Sequence, residues 1–401
     1  MIRICLVLSP SLDYCRRILR GIKEYAETKP DWLLLPVASE PRAVRALAEL
    51  KPTGIIAHIY APQVAEYLQT LSRPLVNVSA VLADLPFPRV GIDDEQVGRL
   101  AALHLLERGF SSFGFVGQRH HAYSLVRERG FRAAIAQAGH ALACFHEQCE
   151  RPFSPTGHLW ALDRDLQHWV ANLPKPVGIF APNDIWGVQL AEVCRQLGLR
   201  VPEDVALLGV DNDDLLCNLA RPALSSIALP AERIGREAAA LLDRLLAGAK
   251  APRRPLLLPP LGTRARRSTD ALICDDADVA AAVRFIREHS HRPLRVADVL
   301  AEVAVSRRSL ERRFRAVLQH GLGEEIRRAH LDRARALLTR TEMPLAEVAR
   351  CSGFSSSAHL SFVFRQEMGL TPSAYRRRAH SPDSNAARGQ GRRVYTGRSR
   401  D

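Results

Sequence analysis

Two groups of residues in this 401-residue chain have types and spacings suited to chemistry. The first is polar and stands where apolar runs end. Ser9 and Asp13 follow Ile4–Leu8, and Asp93 and Asp94 follow Val90–Ile92. Asn183 and Asp184 follow Val177–Phe180, while Asp211, Asn212, Asp213 and Asp214 follow Val205–Val210. Each position, taken alone, suits a helix N-cap. Four of them at the carboxyl ends of strands describe a polar cleft, because ligands of open parallel sheets bind there. The second group is basic. Arg308 and Arg312 lie one helical turn apart, away from the apolar stripe of Leu310 and Phe314. A guanidinium so placed neutralises a phosphate or reads a guanine edge through paired hydrogen bonds. The plainer reading of any one of these arginines is a solvated basic face.

Charge separates the two groups. The net charge is +13, yet the first 278 residues hold 32 basic and 31 acidic side chains. Residues 279–380 hold 19 arginines, no lysine and 10 acids, and residues 381–401 add 5 arginines and 2 aspartates. The positive charge belongs to the C-terminal third and implies a nucleic-acid partner for that part. A membrane surface would attract the same charge, but the periodicity there describes compact helices, not one long amphipathic one.

The elements that must position the polar group alternate as strand and helix. Strands are expected at Ile4–Leu8, Leu33–Val37, Gly54–Ala57, Leu75–Val78, Val90–Ile92, Phe113–Val116, Val177–Phe180, Val205–Val210 and Leu256–Leu258. Helices are expected at Asp13–Thr28, Arg42–Leu50, Pro62–Leu71, Asp94–Arg108, Tyr123–Ala138, Asp184–Leu197 and Ala231–Leu246. Such alternation builds parallel sheets covered by helices on both faces, and 270 residues allow two such α/β lobes. The proline- and arginine-rich stretch 252–270 closes this domain, 271–279 reads as a linker, and an all-α domain of residues 280–380 follows. The tail 381–401, rich in Arg, Gly and Ser, reads as disordered.

The helical domain repeats itself. Val296–Ala304 and Arg307–Leu318 form one helix–turn–helix, with Ser306 as N-cap of its second helix. Leu345–Cys351 and Ser356–Met368 form another around the turn Ser352-Gly353-Phe354. Leu310 and Leu360 stand 50 residues apart, as do Phe314 and Phe364. A helix near Gly323–Thr339 joins the units, so that two recognition helices can enter successive major-groove segments on one face of DNA.

Other chemistries find less support. The 8 cysteines contain no Cys-x-x-Cys pair, which implies a reducing cytoplasm. Cys144-Phe145-His146-Glu147-Gln148-Cys149 lacks a second ligand pair at structural-zinc spacing, so no metal or other cofactor is expected. No phosphate-cradling loop, dinucleotide fingerprint or nucleophile elbow occurs, which argues against an enzyme. No apolar run approaches the length of a membrane span, and the first eight residues read as a buried strand instead of a signal peptide.

Residues 280–378 resemble the AraC-family DNA-binding domain. The resemblance rests on Ala346-Glu347-Val348-Ala349, Gly353-Phe354-Ser355, Leu360, Phe364-Arg365 and Gly369-Leu370-Thr371-Pro372-Ser373-Ala374-Tyr375-Arg376. Residues 2–269 resemble the LacI-type effector domain, of periplasmic-binding-protein fold. Its marks include Val90-Gly91-Ile92-Asp93, Arg127-Glu128-Arg129-Gly130-Phe131, Val201-Pro202-Glu203-Asp204-Val205, Gly209-Val210-Asp211 and Arg267-Ser268-Thr269. A sensor placed before the reader resembles the xylose-responsive operon regulators. That implies a dimeric, cytoplasmic regulator of operator DNA that binds an aldopentose, D-xylose in the first place, and, as an activator, engages RNA polymerase; the alternative is the same architecture sensing another sugar or acting as a repressor.

The resemblance implies sugar contacts for Asp93, Arg127, Asn183 and Asp211, with Asp13 a further ligand candidate. Trp186 and Trp160 are candidates to stack on the sugar, although both also suit a core. On the DNA side it implies base contacts for Arg308, Glu311 and Arg312 in the first unit and Ser357, His359 and Phe362 in the second. Ser306, Arg307, Ser356 and Arg365 complete the expected DNA-facing set. Phe362 departs from the family pattern, where a polar or basic residue is common, so the second unit reads thymine methyls or only phosphates.

Overall fold

Ile4, Cys5, Leu6 and Val7 are almost wholly buried, which makes the first strand an interior one, apolar on both faces. The structure, a computed structural model, describes residues 1–147, 164–270, 276–318, 320–341 and 343–380. The chain divides into two units, Met1–Ala271 and Leu272–Asp401.

The first unit begins β1 (Ile2–Val7), α1 (Asp13–Ala26), β2 (Trp32–Val37), α2 (Pro41–Val44), β3 (Gly54–Ala57), α3 (Pro62–Thr70), β4 (Leu75–Asn77) and β5 (Val90–Ile92). It continues α4 (Asp94–Leu106), β6 (Ser112–Gln118), α5 (Ala122–Gln137), β7 (Leu142–Glu147), α6 (Arg164–Asn172), β8 (Val177–Phe180) and α7 (Asp184–Gln196). It closes with β9 (Val205–Asp211), α8 (Asp214–Leu219), β10 (Ser225–Ala228), α9 (Ala231–Leu246), β11 (Leu256–Leu258) and β12 (Gly262–Arg264).

Two larger sheets result, ordered β2-β1-β3-β4 and β12-β10-β9-β8-β6-β7, and β11 pairs with β5 in a two-stranded third. All pairings are parallel except β10 with β12. The chain leaves the first lobe after β5, returns to it with α9 and leaves again after β11, so each lobe is assembled from separate stretches. In both lobes a pair of helices crosses at reciprocal glycines. A Cβ on Gly98 of α4 would lie 2.0 Å from the Arg127 carbonyl oxygen, and one on Gly130 of α5 2.1 Å from that of Glu95. Gly21 of α1 and Gly235 of α9 repeat the device.

Several elements go beyond the sequence pattern. β7, with every residue only half-buried, and β12 are edge strands and lack the continuous apolar run of an interior one. β10 is fully buried but begins Ser225-Ser226, and α6 and α8 are short. The expected helix Arg42–Leu50 is α-helical only to Val44 and continues as 3₁₀ turns over Arg45–Leu50.

The second unit is helical: α10 (Ala277–Glu288), α11 (Val296–Val303), α12 (Arg307–Leu318), α13 (Leu322–Arg340), α14 (Leu345–Cys351), α15 (Ser357–Met368) and α16 (Pro372–His380). Asp276 caps α10, accepting from the amides of Asp278 and Val279, so helix occupies the end of the expected linker 271–279. Arg313 of α12 bonds Asp276 and Asp278, which ties α10 to the first helix–turn–helix. Leu310, Phe314, Leu322 and Ile326 share one core; Leu331, Ala334, Leu338, Leu360 and Phe364 share a second. α13 contributes to both, and its 19 residues span about 28 Å as a rigid spacer. Gly353, at φ +75°, makes the second turn beside His330, whose Nε2 a Cβ would approach to 2.4 Å. The tail from 381 onward lies outside the described residues.

Candidate ligand cleft and nucleic-acid interface

The α4–α5 crossing brings Arg127 against Asp94. Arg127 Nε donates to Asp94 Oδ1 at 2.8 Å, and both side chains are buried. Arg127 Nη1 donates to the Pro182 carbonyl, and the guanidinium carbon lies 4.8 Å from the centroid of the Tyr123 ring. Tyr123 stands one helical turn before Arg127, and its hydroxyl accepts from Asn183 Nδ2 at 3.1 Å and donates to Gln118 Oε1 at 3.0 Å. Asn183 also caps α7, accepting from the Trp186 amide at 3.0 Å.

Asp211 ends β9 with φ +107°, and Asn212 follows at φ +55°. Two successive non-glycine residues with positive φ store strain that their surroundings must hold. Arg17, ion-paired with Glu232, donates to the Asp211 carbonyl at 3.2 Å. Arg266 Nη2 donates to Asn212 Oδ1 at 2.8 Å, and the Asn212 amide to Ser226 Oγ at 3.0 Å. The Asp211 carboxyl itself accepts no hydrogen bond among the described residues.

Asp94, Tyr123, Arg127, Asn183 and Asp211 line a cavity of about 190 Å³ together with Ser9, Tyr14, Ser39, Glu40, His58, Tyr60 and His121. Leu12, Val78, Val81, Ile92, Ile185 and Leu229 supply apolar wall. Burial pushes the Asp211 carboxyl up to about 7, against the pull of Arg127 and Arg17. Asp184 behind it is raised too, by burial first and the charge of Asp211 second. Asp94 is raised by burial, which outweighs Arg127. Burial holds His58 and His121 down at about 4, so both are neutral at neutral pH. A buried guanidinium fork, a carboxyl that accepts no hydrogen bond among the described residues and aromatic walls suit a small polyhydroxylated ligand. Carboxylates accept from vicinal hydroxyls, and Arg and Asn donate to oxygens.

Arg127, Asn183 and Asp211 thus meet in one cavity. Three other ligand candidates do not line it. Asp13 opens α1 and pairs with Arg16 at 3.3 Å. Asp93 caps α4, accepting from the Gln96 amide at 3.0 Å, and the next residue, Asp94, reaches the cavity instead. Trp186 is 2% exposed and packs in the core of the second lobe with Leu190, Leu207 and Leu224. Trp160 and Cys149 lie outside the described residues, among which no group of three or more His, Cys, Asp or Glu is placed to hold a metal ion. The sequence reading missed Tyr14, Tyr123, His58, Tyr60 and His121. Only Tyr123, at i−4 from Arg127, carried a spacing signal.

In the second unit, α12 and α15 turn Leu310, Phe314, Leu360 and Phe364 fully inward. Ser306 accepts from the Ser309 amide at 3.3 Å, and Ser356 from that of His359 at 3.1 Å, so both serines are caps as well as groove-facing candidates. Arg307 pairs with Glu311 at 2.9 Å, which engages both on the helix surface. Arg308, Arg312 and Arg315 are exposed and have no ion-pair partner among the described residues. On α15, Ser357 is half-buried, while His359, Phe362 and Arg365 are exposed. His359 lies 3.1 Å from Ser355 Oγ.

Comparison with known proteins agrees with both units. The periplasmic binding protein-like domain family matches residues 102–269, and a helix-turn-helix domain family matches residues 299–378. The xylose operon regulatory protein of Escherichia coli (strain K12) is 30% identical over 382 residues, covering 93% of this chain and 96% of that protein. Its counterpart from Haemophilus influenzae is 29% identical over 383 residues, covering 93% and 98%. The solved structure of the xylose-binding transcription activator xylR superimposes with a TM-score of 0.72 at 28% identity, covering 93% and 97%. A cellobiose complex of the regulator CelR shares the fold, with a TM-score of 0.55 at 22% identity over 66% of this chain. These relatives are transcription regulators, not enzymes. Among the described residues no helix is long and apolar enough to cross a membrane.

Proposed function

The chain belongs to the xylose operon regulatory proteins, and from that premise we propose that it is a D-xylose-responsive activator of pentose-catabolic genes. A sugar-sensing unit and a DNA-binding unit share one chain, which makes it a one-component transcription regulator. The observation that carries the sugar reading is the Asp211 carboxyl, on a strained backbone at φ +107° and accepting no hydrogen bond among the described residues, in the cavity that the Arg127 fork also lines. Arg127, Asn183 and Asp211 hold the sugar, with Tyr123 and Asp94 fixing the fork.

Sugar favours a closed arrangement of the two sensor lobes, a shift limited by its differential affinity for that state. A coupling of about 1–3 kcal/mol to DNA binding is the expected size. The regulator works as a cytoplasmic homodimer on operator DNA and engages RNA polymerase. On the DNA side, Arg308, Arg312 and Arg365 contact bases or phosphates from the two recognition helices.

Calorimetric titration of the full chain with D-xylose, L-arabinose, D-ribose and D-glucose tests the reading. Binding of D-xylose that vanishes in Asp211→Ala supports it. Selective binding of another sugar would move the specificity, and sugar that left the DNA-binding isotherm unchanged would sink the coupling. Transcription from a reporter operator, with and without sugar, separates an activator from a repressor.

A further inference from the structure

The two recognition helices present different chemistry to the groove. The 50-residue repeat sets Phe362 of α15 in the place that Arg312 takes in α12. Likewise Ser357 and Ala358 stand where α12 has Arg307 and Arg308, and only Arg365 keeps the arginine of its counterpart, Arg315. Helix α15 buries Leu360, Val363 and Phe364, and Phe362 points the other way with 68% of its surface exposed. It sits between exposed His359 at i−3 and exposed Arg365 at i+3, in the middle of the outward stripe. A phenyl ring there has no polar atom for a phosphate or a base edge. What it offers is apolar contact, and in the major groove the apolar feature is the 5-methyl of thymine. The basic balance of the unit supplies the attraction to DNA that an apolar stripe by itself would lack.

We propose that Phe362 reads a thymine methyl in the segment faced by α15, while the arginines of α12 read guanine edges and phosphates in the other. The operator is then chemically asymmetric, thymine-bearing under one recognition helix and guanine-bearing under the other. This rests on the assignment of residues 299–378 as a DNA-binding domain.

The test selects bound duplexes from a random pool with the full chain and D-xylose, then replaces each protected thymine in turn by deoxyuridine, which lacks only the methyl. One replacement under α15 should weaken binding about three- to five-fold, the worth of one buried methyl. Phe362→Ala should weaken the parent duplex at least as much and make thymine and uracil duplexes equal, with binding to unrelated DNA unchanged. Equal binding of thymine and uracil at every position would overturn the proposal, as would a thymine preference that survives Phe362→Ala. An unchanged DNA isotherm with lost transcription would assign Phe362 to a protein partner instead. A chain that retains no duplex at all would overturn the DNA-binding assignment itself, and the proposal with it.

Discussion

Asp211→Asn separates the proposed ligand chemistry from folding, because the carboxyl assigned to the sugar is one that burial sets against folding. In the unfolded chain an aspartate titrates near 3.9. In the folded protein burial carries Asp211 to about 7. Below about pH 4 both states hold the proton and the residue is neutral toward folding. As pH rises toward 7 the unfolded chain releases its proton while the folded one retains it, so stability is lost through that window and the loss is complete above it. A fully enclosed group shifted by about three units would lose about 4 kcal/mol. The carboxyl borders an open cavity, and solvent screening reduces this to about 2 kcal/mol. Asparagine keeps the shape and does not ionise. The variant should therefore melt about 4 °C higher than the parent at pH 8, with about a third of that gain at pH 5. The assay is thermal unfolding of the full chain without sugar at the two pH values. Asparagine also suits positive φ, but a backbone benefit would be the same at both. An equal gain at pH 8 and pH 5, or a loss at pH 8, would refute the electrostatic argument. D-xylose affinity of the same variant should fall at least ten-fold, measured by calorimetry.

Three further perturbations probe the framework. Arg127→Met leaves the buried Asp94 carboxyl without its partner and should cost about 3–5 kcal/mol in urea unfolding; adding Asp94→Asn should restore stability but not sugar binding. Gly98→Ala forces a Cβ into the Arg127 carbonyl, parts α4 from α5 and should destabilise the sensor by about 3 kcal/mol; unchanged denaturant unfolding would mean the crossing is loose. Arg312→Ala should weaken specific DNA more than unrelated DNA in parallel titrations, and equal losses would make Arg312 a phosphate contact.

Local periodicity determined much of this protein. Unbroken apolar runs such as Val205–Val210 announce interior parallel strands, and the 50-residue repeat of Leu310/Phe314 in Leu360/Phe364 announces two helix–turn–helix units before any coordinate is known. The positions of Asn183 and Asp211 at strand ends were legible for the same reason, since the carboxyl ends of parallel strands face the cleft. The tertiary structure decided which of several similar residues reaches it. Asp93 and Asp94 are chemically identical neighbours, yet α4 starts between them, so the first caps the helix and the second meets Arg127. Trp186 sits one turn beyond Asn183, and the rotation of α7 carries it into the core. Tyr14, His58 and Asp211 come from stretches far apart in the chain, brought together because it crosses between the lobes repeatedly. A sequence window sees only neighbours along the chain, whereas the cavity is made of residues that are neighbours only after folding.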